Sequence, residues 1–217
     1  MLTVSNLIGF GSGDSLSAVL NAGAGSVTAL TTYTFTVSTF APGTCVVHVA
    51  AASVSGTINV TAVTAGGTTM TQSQNSSGNG SDFGGWSGYC VSPVGSTNVV
   101  VTTSTTASRI TMGCWSVSGN NSLSPSYAPV RVNANAVTVT GTTSGVAGTL
   151  MLALTSCNNS AAFSAWTGPT ISADGTGSVS TTLCHAEGHW VDDGVTAPIS
   201  TFNAGGSRSS IMITGWV

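Results

Sequence analysis

Along this chain polar and apolar residues alternate with a period of two, and helical periodicity is almost absent. Tyr33-Thr34-Phe35-Thr36-Val37 alternates cleanly, as a strand with one buried face does. Cys45-Val46-Val47-His48-Val49-Ala50 does not alternate and predicts a strand buried on both faces. Ile58 to Val63, the pair Gly66-Gly67 and Thr68 to Thr71 predict a hairpin. Further strands are predicted over Trp86–Val91, Asn98–Thr103 and Arg109–Val117, separated by turn residues such as Pro93, Gly95 and Ser108. Asn75 to Asp82 and Ser118 to Pro129 read as loops. A helical spacing occurs only in Asp14 to Asn21, where Leu16, Val19 and Leu20 recur at i, i+3 and i+4 and predict a short turn.

The second half repeats this grammar with Val137–Thr140, Leu150–Thr155, Ser178–Trp190 and Ser210–Val217. The halves also end alike, in Arg109-Ile110-Thr111-Met112-Gly113-Cys114-Trp115 and Arg208 to Trp216. The Arg-to-Trp spacing differs by two residues, so a duplication and two strands in equivalent positions explain the likeness equally well. About a dozen short strands with glycine-rich turns predict an all-β fold, a single antiparallel β-sandwich of jelly-roll type. Without a Pro/Ser linker the chain reads as one domain over 31–217, preceded by an arm or edge segment over 1–30.

Composition adds a second signal. Of 217 residues only nine are charged, three arginines and six acids, and there is no lysine. Serine and threonine make up about 31% of the chain, against which an average soluble domain carries about a quarter charged residues. Such a surface is wetted by hydroxyls. Hydroxyls cost less to desolvate than ions, which suits a protein packed into an assembly. A net charge of −3 with scattered arginines argues against nucleic acid, which needs a basic patch. No apolar run approaches the roughly 18 residues that span a membrane. Met1-Leu2-Thr3-Val4-Ser5-Asn6 lacks the basic start of a signal peptide, so synthesis in a cytoplasm is expected. The five cysteines show no CxxC pair, and buried free thiols are expected, with one late disulfide as the alternative.

Candidate chemistry is concentrated in Cys184-His185-Ala186-Glu187-Gly188-His189-Trp190-Val191-Asp192-Asp193. On a strand His185, Glu187 and His189 share one face, and with Asp192 they form a candidate divalent-metal site. The competing reading is a solvent-facing strand that carries the few charges available. The spacing is not the helical HExxH of metalloproteases. No G-x-S-x-G elbow accompanies the serines, and His48 sits in an apolar run as a core histidine would. Trp86 and Trp166 lie near turns and are the candidate sugar-stacking residues, with core packing as the alternative.

The order of strands resembles that of jelly-roll virion proteins of tailed bacteriophages. It is carried by Val46 to Ala51, the Val63-Thr64-Ala65-Gly66-Gly67-Thr68 hairpin, the Tyr89 to Thr102 pair and the Arg109 to Gly119 strand. In the second half Gly148 to Leu154, Ala165 to Pro169 and the final Ile211-Met212-Ile213-Thr214-Gly215-Trp216 carry it. The resemblance implies a non-enzymatic virion protein without a cofactor, a capsid decoration or cement protein that binds the major capsid protein and its own sister subunits. A trimer or other cyclic oligomer is implied. The alternative is a carbohydrate- or receptor-binding module of a head or tail appendage.

Overall fold

A computed structural model describes residues 16–217 apart from 38, 81, 96, 120–123, 159–161, 180–181 and 204–207. The first half contributes eleven strands: β1 (Ser17–Ser26), β2 (Leu30–Thr36), β3 (Thr44–Ala52), β4 (Thr57–Ile58), β5 (Val60–Ala65), β6 (Thr68–Thr69), β7 (Thr71–Ser76), β8 (Gly78–Asn79), β9 (Gly84–Val91), β10 (Asn98–Ala107) and β11 (Arg109–Ser118). The second half contributes β12 (Tyr127–Ala134), β13 (Thr138–Thr140), β14 (Leu150–Cys157), β15 (Phe163–Thr167), β16 (Ser172–Ser178), β17 (Cys184–Val191), β18 (Ile199–Phe202) and β19 (Ser209–Trp216). Among the described residues every strand pairing is antiparallel, so the predicted all-β sandwich is what forms.

The sandwich is four sheets deep. One inner sheet has the order β1-β11-β3-β9-β7 and the other β12-β19-β14-β17-β16. Each is backed by an outer sheet, β2-β10-β5-β6 on the first and β13-β18-β15 on the second. Position for position the two halves use the same order, with β11 and β19 in matching places beside β3 and β14. That correspondence accounts for the likeness of the Arg109–Trp115 and Arg208–Trp216 segments.

Layering explains the strands that do not alternate. In β3, Cys45, Val47, Val49 and Ala51 face the first outer sheet, where they meet Val63, Val99 and Val101. Val46, Ala50 and Ala52 face the other way, toward Leu150, Leu152, Leu154 and Trp216 of the second inner sheet. A strand covered on both faces has no wet side to mark with polar residues, hence the continuous apolar run. In the second half Met151, Ala153, Ile211 and Ile213 fill the gap to the second outer sheet with Val139 and Trp166. Where hydroxyls point inward they pair across layers, Thr111 with Ser156 at 2.6 Å and Thr155 with Ser200 at 2.7 Å. A hydroxyl both donates and accepts, so two of them satisfy each other without water.

Several expectations need correction. Asp14 to Asn21 is not helical where it is described: Ser17–Ser26 is an edge strand paired along β11. Its apolar residues work at period two, Leu16, Ala18 and Leu20 against the inter-sheet core. A register shift between Leu20 and Ala22 then turns Ala22 and Ala24 to the opposite face, toward the first outer sheet. This bulge disguised the strand by breaking its alternation. Residues 1–15 of the expected N-terminal arm lie outside the described residues. The expected 75–82 loop holds the end of β7 and the short β8, and the expected Ser178–Trp190 strand is split between the last residue of β16 and β17. All five cysteines are free thiols buried in strands.

Candidate functional site

His185, Glu187 and His189 lie on β17, beside the edge strand β16 of the second inner sheet. The odd-numbered residues of β17 face the first inner sheet, because their partners Ser156, Leu154 and Leu152 do. His185 and Glu187 are therefore not solvent-facing: both are buried, and His185 Nδ1 lies 2.6 Å from Glu187 Oε1. The other carboxylate oxygen, Oε2, is buried and has no protein partner. Space for the pair comes from missing side chains. A Cβ on Gly23 of β1 would overlap the Glu187 carboxylate, and one on Gly175 of β16 would stand 2.9 Å from Oε2. Gly25 and Gly177 frame the His185 ring in the same way, and Gly113 of β11 backs the Glu187 stem.

His189, two residues on, faces the same layer but takes a different partner. Its Nδ1 lies 2.7 Å from Asp174 Oδ1 on β16, and Asp174 Oδ2 accepts a hydrogen bond from Trp115 Nε1 at 2.9 Å. The Asp174 carboxylate thus links β17, β16 and β11 across the two sheets. It holds the His189 imidazole above the ordinary histidine range, against the opposing effect of burial. His48 is buried, as His185 is. Its Nε2 is 2.8 Å from Thr214 Oγ1 and its ring meets Trp115 edge-on at 5.1 Å. With no charge beside it, burial pushes its pKa down to about 3.

Asp192 belongs to a loop instead. Burial works to raise its carboxyl, but hydrogen bonds from Ser144, Thr143 and the Gly194 N–H outweigh that effect and hold it below the usual carboxylate range. Of the predicted metal ligands, then, the fold brings His185 and Glu187 into contact, hands His189 to Asp174 and spends Asp192 on a turn. Among the described residues no group of three or more His, Cys, Asp or Glu side chains could hold a metal ion. His185 and Glu187 are buried between the two sheets, whereas His189 stays partly exposed. What this constellation can do chemically is bind the layers together.

Of the predicted sugar-stacking residues, Trp86 is inside and Trp166 is partly buried. Trp86 is 2% exposed, packs in the first core and donates from Nε1 to Gln72 Oε1 at 3.3 Å. Trp166 pairs with the inward Ser200, packs on the second core and stacks obliquely on Phe163 at 5.3 Å. Trp86 is thus closed off within the core, while Trp166 is partly buried. Turn proximity misled the sequence reading, because both tryptophans point inward from strands β9 and β15.

On the opposite flank of the inter-sheet layer β12 lies over β7, as β1 lies over β16. There Arg131 passes over Gly85 of β9, and burial lowers its pKa while Asp82 opposes this. Arg208 pairs with the same Asp82. Sequence reading missed Asp174, Trp115 and the glycines of β1 and β16 as members of the network. The available signal was an isolated acid in the glycine-rich segment Asp174-Gly175-Thr176-Gly177.

These placements leave the outer sheets without charge. The strands β2, β5, β6 and β10 contain no Asp, Glu, Lys or Arg, and neither do β13, β15 and β18. The first presents Thr32, Thr34 and Thr36 of β2 outward, beside Thr102 and Val100 of β10. The second presents Thr138 and Thr140 beside Thr201. Comparison with protein-family models, with curated proteins and with solved structures returned no match to this chain.

Proposed function

We propose that this chain is a non-enzymatic structural protein of a tailed-phage virion, a capsid decoration or cement protein that binds the capsid lattice and its sister subunits. The observation that carries this reading is the charge-free outer sheet on each side of the molecule. Desolvating a hydroxyl face against a partner costs little, because each hydroxyl can exchange a water for a partner group. The titratable groups point the same way. Glu187, Asp174 and Asp192 are engaged inside the protein, in the role of fasteners.

The strand order supports a jelly-roll reading of each half. In the first, β1, β11, β3 and β9 run side by side in one sheet and β2, β10, β5 and β6 in the other, so successive strands wrap between two sheets. Attachment would be adhesive, with cyclic oligomers multiplying weak contacts.

Copy number in purified particles tests the reading. Quantitative mass spectrometry should find hundreds of copies per virion; a handful would instead favour an appendage, and absence from particles would remove the proposal. In parallel, Thr34→Glu on the exposed face of β2 should fold normally yet lower particle occupancy about tenfold or more, since it buries an unpaired charge at the contact. Unchanged occupancy for this variant and for Thr138→Glu would show that neither outer face makes the contact.

A further inference from the structure

One end of the molecule carries an apolar surface that the described residues leave open. There β9 and β17 both finish on an outward valine, Val91 and Val191, and the loops that follow present Val94 and Val195, which are 99% and 82% exposed. Strand direction places both pairs at the same end, since Val91 pairs through Thr44 and Val191 through Leu150, residues that begin β3 and β14. A cleft of about 540 Å³ opens beside the first pair, with Phe40, Pro42, Val91, Pro93 and Val94 in its walls. Apolar side chains gathered this way mark a contact site.

The occupant is indicated by where the chain enters. Ser17, at the start of β1, pairs with Ser118, and the neighbouring Val117 pairs with Thr44, which pairs with Val91. Three strand spacings, about 14 Å, separate Ser17 from the cleft edge. Residues 1–15 lead into β1 at this end, and extended they reach about 50 Å. Their sequence is uncharged but for Asp14, and it offers Leu2, Val4, Leu7, Ile8 and Phe10 among glycines and serines. Asn21, the bulge residue of β1, already touches the cleft loop, its amide meeting Thr39 O at 3.1 Å and Ser116 Oγ at 2.8 Å.

We propose that residues 1–15 of the chain dock on this valine-rich end, with their apolar side chains seated in the cleft between residues 39–43 and 91–95 of the same molecule. Tethering favours the chain's own segment, because a short linker gives a local concentration in the millimolar range. This inference does not depend on the virion reading.

Hydrogen exchange compares the full chain with a chain beginning at Leu16. Amides of 39–41, 94, 95 and 97 should exchange about tenfold more slowly in the full chain. A synthetic peptide of residues 1–15 added to the shortened chain should restore that protection. Val94→Asp in the full chain should abolish it, and this side chain is too exposed for the change to unfold the protein. Equal exchange in both chains, with no peptide effect, would overturn the proposal. Protection that vanishes on dilution would assign the site to a sister molecule's segment and overturn the same-molecule docking.

Discussion

A histidine in this protein changes stability in a direction set by its partner. His48 is buried without a charged neighbour and its pKa falls to about 3. Its folded pKa lies below the unfolded value of about 6.5, so between those limits only the unfolded chain takes up the proton. Stability from His48 is therefore present above about pH 6.5 and lost as pH falls toward 3, on the order of 4 kcal/mol. His48→Gln should flatten that part of the stability curve when urea midpoints of both proteins are measured across pH 3 to 7. His189 runs the other way. Asp174 raises it, so its contribution is complete below the unfolded pKa and is lost as pH rises through the folded one. Removing the partner in Asp174→Asn should lower the pKa of His189, which NMR titration of the imidazole reads directly. The glycines are equally specific. Gly23→Ala places a methyl group on a buried carboxylate and should cost about 2–3 kcal/mol in chemical denaturation.

At the scale of elements, β1 shows how one residue sets two faces. Leu16, Ala18 and Leu20 point into the layer between the inner sheets, and beyond the bulge at Asn21 that layer receives Gly23 and Gly25. Without the bulge Ala22 and Ala24 would occupy those places and meet Glu187 and His185. Deleting Asn21 removes the bulge together with its extra residue and leaves Gly23 and Gly25 facing that layer, so it should destabilise the protein less than Gly23→Ala does, as chemical denaturation of the two variants reads. The same element shows what pattern reading can reach. Strands β2, β3 and β11 were legible, because alternation or a continuous apolar run follows from one or two covered faces. The edge strands β15 and β16 were not, since an edge strand needs only a few inward residues and tolerates glycine. For the site, the shared face of His185, Glu187 and His189 followed from strand periodicity. Its burial did not, because periodicity cannot say what covers a face.

At the scale of the molecule, the two halves share one core. Val46, Trp115 and Val117 from the first pack with Leu150, Leu152, Leu154 and Trp216 from the second. Neither half covers this surface alone. A fragment over residues 16–119 should aggregate or bind a hydrophobic dye, and the whole chain should unfold in one calorimetric transition. Trp115→Ala should lower the midpoint of that single transition, by about 3–5 kcal/mol of stability, without splitting it. Two separated transitions would show that the sandwiches fold independently.

By itself the sequence determined the class of fold, the positions of most central strands and the scarcity of charge. Each follows from local periodicity and composition. It also showed where the titratable groups gather along the chain. Only the tertiary structure decided that the sheets stack four deep, that Trp86 and Trp166 turn inward, and that Asp174 on β16 takes His189 while Glu187 takes His185. Those outcomes depend on which sheet faces which, through contacts between residues dozens of positions apart. A strand displays the same period of two whether its second face meets water or another sheet.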